Sequence, residues 1–266
     1  MPGFRAKGLA ALRAKIAAIE AGGREDSESL PFGDSRIDAL LPGGGLPLGR
    51  WHEIVSEGME VETGACAAAF AALMAAPLAR RGAGVWIVRR DDLYAPGLAG
   101  LGFPAGRLIQ VCARDEAEVL AVREDALATA GVCAVFAEAE AVDLVAGRRL
   151  QLACEKRGGT GFVLRRRPFG GEKAGEAAGS AAATRWRIGP EPSQPGAGEP
   201  GLGAPRWRAV LERCRGGRTG EFVFEATGAF TLDPEEARDG THPLRLVAEL
   251  GDRQLAPAEP FLRRSA

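Results

Sequence analysis

The stretch Trp51-His52-Glu53-Ile54-Val55-Ser56-Glu57-Gly58-Met59-Glu60-Val61-Glu62-Thr63 decides the fold of this chain, and it leads into an alanine-rich segment. Residues 51–55 form a short, largely apolar run that precedes a glycine-containing turn, which predicts a buried β-strand. The alanine-rich segment, from about residue 64 to about residue 81, predicts a long helix because alanine favours helical backbone. A buried strand that turns into a long helix is the building unit of an α/β fold.

The same alternation of strand and helix continues downstream. Strands are predicted at 85–89, 108–111, 132–137 and 161–164, and helices at 116–130 and 141–157. Short apolar strands separated by helices favour a mostly parallel central sheet that is covered by helices on both faces.

Beyond residue 183, predicted strands follow one another without helices between them. They cover 184–188, 206–213 and 221–226, and the glycines at 216, 217 and 220 favour a hairpin between the last two. The sheet is therefore predicted to end in an antiparallel extension. The segment 168–183 before these strands predicts a mobile loop, and residues 231–266 predict a loosely structured tail after a core that spans 30–230.

Residues 1–23 predict an amphipathic N-terminal helix in front of the core. Its apolar positions recur at helical spacing and are Leu9, Leu12, Ile16 and Ile19. We consider this stripe a candidate partner-binding surface, and packing on the chain's own core is the alternative.

Composition excludes some classes of protein. The chain has 266 residues, of which 46% are hydrophobic and 26% charged, as is usual for a globular domain. The longest apolar stretch, 65–78, is shorter than the roughly 20 residues of a membrane-spanning helix. Five cysteines without a CxxC pair and only two histidines do not favour a disulfide framework or a zinc site. We therefore expect a cytoplasmic protein without a metal or a membrane partner.

The charge is distributed unevenly along the chain. The net charge is −1, but residues 148–220 carry 15 basic and 6 acidic side chains. A basic middle segment is consistent with a surface that faces nucleic acid, and an arginine-rich solvated face is the alternative.

Three segments carry a resemblance to a known family. They are Leu46-Pro47-Leu48-Gly49-Arg50 before Glu53-Ile54, the strand Ala134-Val135-Phe136-Ala137-Glu138, and Trp207-Arg208-Ala209-Val210-Leu211-Glu212-Arg213-Cys214-Arg215-Gly216-Gly217 with Arg185-Trp186-Arg187-Ile188 upstream. Together they resemble the RecA-type recombinase core and, within it, the ImuA family, over about residues 30–230. The glycines 43–45 precede the strand instead of following it, so we interpret them as a turn and not as a phosphate-binding loop.

The resemblance implies a RecA-like fold and a role beside other proteins. ImuA-like proteins are accessory or scaffold proteins of damage-induced translesion DNA synthesis. The partners implied are an ImuB-like inactive Y-family polymerase and an error-prone C-family polymerase, with RecA and single-stranded DNA as further candidates. Two alternative functions stay open: an active RecA/RadA-like DNA-dependent ATPase, and a cell-division checkpoint inhibitor.

The phosphate loop of an active RecA-type ATPase is degenerate here. Such a loop needs G-x-x-x-x-G-K-[ST] at the strand-to-helix junction, where the lysine neutralises phosphates and the hydroxyl binds Mg²⁺. This junction is Ser56 to Thr63, with Val61 at the position of the last glycine and Glu62 at that of the lysine, and no lysine occurs between Lys15 and Lys156. Only Thr63 of the required residues is retained, since Ser56 stands at the position of the first glycine and Gly58 lies at an unspecified position. Glu57, Glu60 and Glu62 place carboxylates where phosphates would bind. One such charge about 4 Å from a phosphate repels it by roughly 4 kcal/mol.

The catalytic base is also altered. In the recombinases a glutamate follows the second core strand, whereas here Trp86-Ile87-Val88 is followed by Arg89-Arg90, so Arg90 reverses the charge at the base position. Glu138 remains at the acidic-strand position, and we interpret it as a strand-end carboxylate that faces water. The chain is predicted to be a pseudo-ATPase without a bound cofactor.

Arginines and aromatic residues around the predicted mobile loop are candidates for binding single-stranded DNA. In recombinases this loop contacts DNA, because arginines follow phosphates and aromatic rings stack on bases. The candidates are Arg165, Arg166, Arg167, Phe169, Arg185, Trp186 and Arg187, and contact with an acidic protein or simple solvation is the alternative. Trp207, Arg213 and Arg215 of the family signature are further candidates for binding a partner protein.

Overall fold

The computed structural model describes residues 28–101, 103–140, 142–166, 180–196, 198, 200–228 and 242–250, apart from the side chains of residues 60 and 61. The predicted N-terminal helix, with Leu9, Leu12, Ile16 and Ile19, lies outside these ranges.

Helices and strands alternate through most of this region. The helices are α1 (Ser35–Asp38), α2 (Glu60–Ala75), α3 (Ala95–Gly100), α4 (Glu116–Ala128) and α5 (Leu144–Arg157), and 3-10 turns cover Pro42–Gly44, Ala76–Arg80 and Ala105–Arg107. The strands are β1 (Ser29–Leu30), β2 (Leu46–Pro47), β3 (Trp51–Ser56), β4 (Ala83–Val88), β5 (Leu108–Cys112), β6 (Val132–Ala139), β7 (Thr160–Arg165), β8 (Thr184–Glu191), β9 (Arg206–Cys214), β10 (Gly220–Ala226) and β11 (Leu244–Glu249).

Nine of these strands form one sheet in the order β11-β10-β9-β8-β3-β7-β6-β4-β5. The six strands from β8 to β5 are parallel, whereas β9, β10 and β11 follow β8 with each strand antiparallel to its neighbour. The predicted fold class, a mostly parallel sheet with an antiparallel extension on the C-terminal side, is confirmed.

Two apolar clusters cover the two faces of the sheet. Helix α2 packs on β3, β7 and β8, where Phe70 lies against Trp186. Helices α4 and α5 pack on the opposite face, where Leu127 and Leu150 join the cluster around Trp51. Strand β3 is buried on both faces, which explains why its sequence lacks the alternation of a half-exposed strand.

A row of rings crosses four neighbouring strands in the middle of the sheet. Trp86, Phe136, Phe162 and His52 are register partners on β4, β6, β7 and β3. Trp86 and Phe136 are stacked with ring centroids 4.4 Å apart, and Phe136 and Phe162 with centroids 5.2 Å apart. Aromatic pairs directly across strands stabilise a sheet, so this row holds the parallel strands in register.

The histidine of this row is fully buried and has a partner on each ring nitrogen. Nε2 lies 3.0 Å from the carbonyl oxygen of Pro47, so it carries the proton, and Nδ1 accepts from the Thr184 hydroxyl at 2.8 Å. The same Thr184 hydroxyl accepts a hydrogen bond from the Trp186 indole at 2.9 Å. Burial lowers the pKa of His52 to about 4, which keeps the ring neutral.

The helices begin and end at residues whose chemistry explains the boundaries. Asp115 caps α4 by accepting from the amide of Glu118 at 2.8 Å, and Asp143 caps α5 by accepting from the amide of Ala146 at 2.7 Å. Gly158 ends α5 in the left-handed region, with φ of 77°. The sequence pattern predicts that α5 begins at residue 141. The cap at Asp143 explains why it begins at residue 144 instead.

Other elements also differ from the sequence prediction. Helix α2 begins at residue 60 and not at 64, and it passes into a 3-10 turn after Ala75, where Pro77 lacks an amide donor. Helix α3 was not predicted. The segment 231–266 is not loosely structured throughout, because 244–249 form β11.

Strand β11 forms because buried apolar residues alternate with exposed polar ones at its start, a pattern that suits an edge strand. Leu244 and Leu246 are buried in the core cluster that also contains Phe224 of the neighbouring strand. Arg245 is the register partner of Glu225 on β10 and forms an ion pair with it. Alternation over only six residues, after a segment rich in charge and glycine, gives a weak signal in the sequence.

The glycines at 43–45 form a turn before β3, as the sequence predicts. Gly43 and Gly44 both have φ of 72°, and a Cβ atom on Gly45 would lie 2.6 Å from the backbone of Leu30. These glycines allow the chain to reverse and bring β2 beside β1.

One stretch, Glu62–Arg80, is long and apolar enough to span a membrane by length and composition alone. Two thirds of it, 67%, is buried inside the protein, which is typical of a core helix.

Candidate functional site

The turn between β3 and α2 is where a RecA-type ATPase binds phosphates, and here it is short. Helix α2 begins directly after Met59, so only residues 57–59 separate it from the strand. The amides of Glu62 and Thr63 both donate to the carbonyl oxygen of Met59, at 3.0 and 3.1 Å. The amide of Glu57 donates to the carbonyl of Ile188 on β8 at 2.7 Å. These three amides are therefore already used within the protein.

The side chains of this turn are also engaged. The Thr63 hydroxyl, the one group of the phosphate-loop pattern retained in full, is buried and bonded to the carbonyl oxygens of Glu57 and Met59, the latter at 3.0 Å. The Glu57 carboxylate accepts a hydrogen bond from Arg208 of β9, and this hydrogen bond raises the pKa of Arg208. The turn is thus tied to the antiparallel extension of the sheet.

Next to the turn, at the carboxyl ends of β4, β6 and β7, lies a cluster of charges of both signs. Arg166 is 2.6 Å from Asp92 and 3.4 Å from Glu138. Arg89 is 3.5 Å from Glu116 and 3.6 Å from Glu140. A cavity of about 140 Å³ between these side chains is also lined by Arg90, the residue at the predicted base position.

The sequence interpretation placed the Glu138 carboxylate in water, but the structure places it inside the protein. Its side chain is only 6% exposed because Arg166, which follows the neighbouring strand β7, pairs with it. Burial beside a cation explains how a carboxylate is tolerated at this position. No local pattern indicates this pair, because the two residues lie 28 positions apart in the chain.

A larger groove of about 510 Å³ continues from this charge cluster along α2. One wall is the small-residue face of α2, with Gly64, Ala65, Ala68 and Ala69. The other wall is apolar and comes from the segment around α3, with Leu93, Tyr94, Leu98 and Leu101. Sequence reasoning missed this groove, since α3 itself was not predicted.

Three of the seven candidates for binding DNA are inside the protein. Glu53 of β3 is completely buried between Arg165 of β7, at 2.6 Å, and Arg185 of β8, at 3.1 Å. Glu212 of β9 extends this line of charges by pairing with Arg185 at 2.9 Å and with Arg187 at 2.6 Å. Arg165 also donates to the carbonyl oxygen of Glu140, at 2.9 and 2.6 Å.

The prediction that Arg165, Arg185 and Trp186 contact DNA is therefore wrong. The two arginines neutralise a buried carboxylate, and the Trp186 ring lies in the core beside Phe70 with no exposed surface. Arg166 and Arg187 are partly exposed but are paired with acidic side chains. Arg167 and Phe169 lie outside the described residues.

The candidates for binding a partner protein are similarly divided. Trp207 is 3% exposed and packs edge-on against Phe70 in the core, which corrects its assignment to a partner surface. Arg213 donates to the carbonyl oxygen of Ser180, and Arg215 is half-buried. Every second residue of β9 from Trp207 to Leu211 is buried against the helix-covered face of the sheet. A tryptophan at such a position belongs to the core.

In the part of the chain that the structure describes, no three His, Cys, Asp or Glu side chains converge in a way that could hold a metal ion. The functional features that sequence reasoning missed are Glu53, Arg208 and the groove. Glu53 did give a signal, since a carboxylate in the middle of an apolar strand needs a cationic partner.

Comparison with known proteins decides the family. The chain is 57% identical to the protein ImuA of Caulobacter vibrioides strain NA1000 over 246 residues, which cover 91% of this chain and 98% of that relative. The chain belongs to the ImuA family. ImuA of the Caulobacter vibrioides strain ATCC 19089 matches with the same identity and coverage. No protein-family model matches the chain.

A solved structure supports the fold of this ImuA-family chain. The crystal structure of a KaiC-like protein from the archaeon Pyrococcus horikoshii superposes with a TM-score of 0.52, and it covers 84% of this chain and all of the archaeal one. The two sequences are only 12% identical, so this likeness concerns the fold alone. The resemblance to the ImuA family, which the sequence segments indicated, is thus confirmed at the level of the family and of the fold.

Proposed function

We propose that this ImuA-family chain is a non-catalytic accessory protein of a damage-induced translesion synthesis complex and works through contacts with other proteins. Its proposed partners are an ImuB-like inactive Y-family polymerase, an error-prone C-family polymerase and RecA, in the cytoplasm. The family assignment supports this kind of role.

The observation that carries the non-catalytic part of the proposal is the closed turn between β3 and α2. A phosphate-binding loop surrounds its ligand with free backbone amides and a lysine. Here the amides of Glu57, Glu62 and Thr63 are bonded within the protein, and Glu62 occupies the position of the lysine. A triphosphate would meet the carboxylate of Glu62 where it needs a lysine, and three amides that are already bonded.

The charge cluster beside the turn supports the same proposal. Arg90 lies where an active enzyme would carry the base that orients water, and an arginine that stays protonated cannot accept a proton. Glu138, which could hold Mg²⁺ in an active relative, is paired with Arg166. Contact with single-stranded DNA is not part of the proposal, because Arg165, Arg185 and Trp186 are buried.

Calorimetric titration with Mg²⁺-ATP tests the non-catalytic role, with an active RecA protein as the positive control. We expect no heat of binding at micromolar ATP and no hydrolysis, with or without single-stranded DNA. Binding in the micromolar range would overturn the proposal in favour of a DNA-dependent ATPase.

Co-purification tests the contact role. The tagged chain is recovered from damage-treated cells, and the expected companion is the ImuB-like protein. Recovery of a cell-division protein in its place would favour a division inhibitor.

A further inference from the structure

Helix α5 carries large apolar side chains on the face that it turns to solvent. Leu144 is 63% exposed, Val145 71% and Leu152 58%. The opposite face of the same helix holds Leu150 and Cys154 in the core. A helix of a globular protein normally keeps its apolar residues on the one face that packs, so a second apolar face indicates a contact surface.

Basic side chains frame these three residues. Arg148, Lys156 and Arg157 are exposed, and no ion pair is found for them among the residues that the structure describes. Positions 144, 148, 152 and 156 are four residues apart, so they follow one another along one side of the helix. We call Leu144, Val145, Arg148, Leu152 and Lys156 the α5 surface.

The neighbouring charges do not neutralise this surface. Arg149 pairs with Glu124 of α4 at 2.8 Å, and Glu155 pairs with Arg50 at 2.9 Å. The acidic side chain and the basic side chain of each pair cancel, which leaves the charges of Arg148, Lys156 and Arg157 on this helix. The α5 surface is therefore both apolar and positively charged.

We infer that the α5 surface binds an amphipathic helix of another protein, whose apolar stripe is flanked by acidic side chains. The apolar residues would supply the buried area, and the cations would orient the partner and reject helices with basic flanks. This inference rests on the proposed role as a contact protein and names one surface that would serve it.

Other occupants fit the surface less well. The chain's own segment 4–20 has apolar residues at helical spacing, but its flanks carry Arg5, Lys7, Arg13 and Lys15, which would face the cations of α5. A second copy of α5 would bring the same charges together. Nucleic acid would use Arg148 and Lys156 but gains little from three aliphatic side chains.

Two synthetic peptides of about 20 residues test the inference, with the full chain as the receptor. Both have leucines at positions i, i+3, i+4 and i+7, and one has glutamates beside this stripe where the other has lysines. By fluorescence anisotropy, we expect the glutamate peptide to bind at least about tenfold more tightly than the lysine peptide, and more weakly as salt increases.

Two variants locate the binding on α5. Val145→Asp with Leu152→Asp removes apolar area, and Arg148→Glu with Lys156→Glu reverses the charge. Each is expected to weaken binding of the glutamate peptide at least about tenfold, and the charge variant is expected to bind the lysine peptide more tightly. The charge variant keeps the test valid if the aspartate variant does not fold.

Matched controls change equally exposed residues elsewhere. Leu202→Asp replaces a side chain that is 84% exposed in the connector before β9, and Arg107→Glu reverses an exposed charge before β5. Both should bind the glutamate peptide as the unaltered chain does.

Equal binding of the two peptides, no binding of either, or no effect of the α5 variants would overturn the inference. Binding to phosphatidylglycerol vesicles that these variants abolish would assign the surface to a membrane instead. Loss of self-association in the variants, seen by sedimentation, would assign it to a second copy. Each of these results leaves the proposed function standing, whereas ATP binding by the chain would overturn the proposed function and leave the α5 surface untouched.

Discussion

The carboxylate of Glu53 lies 2.6 Å from the guanidinium of Arg165, and the two side chains are 0% and 5% exposed. Arg185, 1% exposed, approaches the other oxygen of the same carboxylate at 3.1 Å. Two cations thus share one anion in the centre of the sheet, and Glu212 supplies the second negative charge.

Glu53→Gln should destabilise the protein strongly, because it leaves two buried guanidinium groups beside a neutral amide. Breaking a buried ion pair from one side costs about 3–5 kcal/mol. Chemical denaturation measures the free energy of unfolding. Glu155→Gln, which removes a partly exposed partner of Arg50, is the control and should cost less than about 1 kcal/mol. If both variants lost a similar amount of unfolding free energy, the buried arginines would not need the Glu53 carboxylate for their stability.

Arg123→Met should stabilise the protein. The Arg123 side chain lies on the inner face of α4, 1% exposed, and none of its three nitrogens has a hydrogen-bond partner among the described residues. Burial lowers the pKa of Arg123, because a charge is disfavoured away from water. Methionine keeps the length and flexibility of the side chain without the charge, so we expect the free energy of unfolding to rise by about 1–3 kcal/mol.

Arg149→Met, on the exposed side of α5, is the control for this substitution. It removes the surface pair with Glu124 and should change stability by less than about 1 kcal/mol, in the opposite direction. If Arg123→Met lowers the melting temperature, the guanidinium has a stabilising partner and the prediction is wrong.

Stability should fall between about pH 6.5 and pH 4. His52 and His242 are both buried, and burial lowers the pKa of each to about 4, whereas the unfolded chain binds these protons near pH 6.5. As the pH falls, the unfolded state therefore takes up protons before the folded state does. The stabilisation from the neutral histidines is fully present above about pH 6.5 and is lost progressively as the pH falls to about 4. Each histidine contributes at most about 3 kcal/mol.

Nuclear magnetic resonance can follow the two histidines one by one, since the chain contains only these two. In the folded protein neither ring should titrate between pH 8 and pH 5. A midpoint near 6.5 for His52 would mean that its contacts with Pro47 and Thr184 do not hold the ring neutral.

The order of elements was predictable because it depends on local patterns. Apolar runs such as 132–139, helix caps such as Asp115 and the glycines of the β9–β10 hairpin act over a few residues, and the parallel sheet follows from their alternation. The strand β11 and the helix α3 were missed because their six-residue patterns are too short to differ from loops.

The locations of the arginines were not predictable in the same way. Arg165 and Arg185 resemble the basic flanks of a DNA-binding loop, but each meets Glu53, which is more than 100 residues away in the sequence. Strand order and register decide that meeting, and neither can be seen in a local pattern. For the same reason the sequence did not show which face of α5 is left open.

The contact between Glu57 and Arg208 has a consequence for protein engineering at this turn. It joins the turn after β3 to a strand of the antiparallel extension, so the turn cannot move without disturbing the added strands. A designer who placed a lysine at position 62 would also have to release this contact and free the amides of Glu57, Glu62 and Thr63 before a phosphate could enter. A single substitution at position 62 is therefore not expected to create a phosphate-binding site.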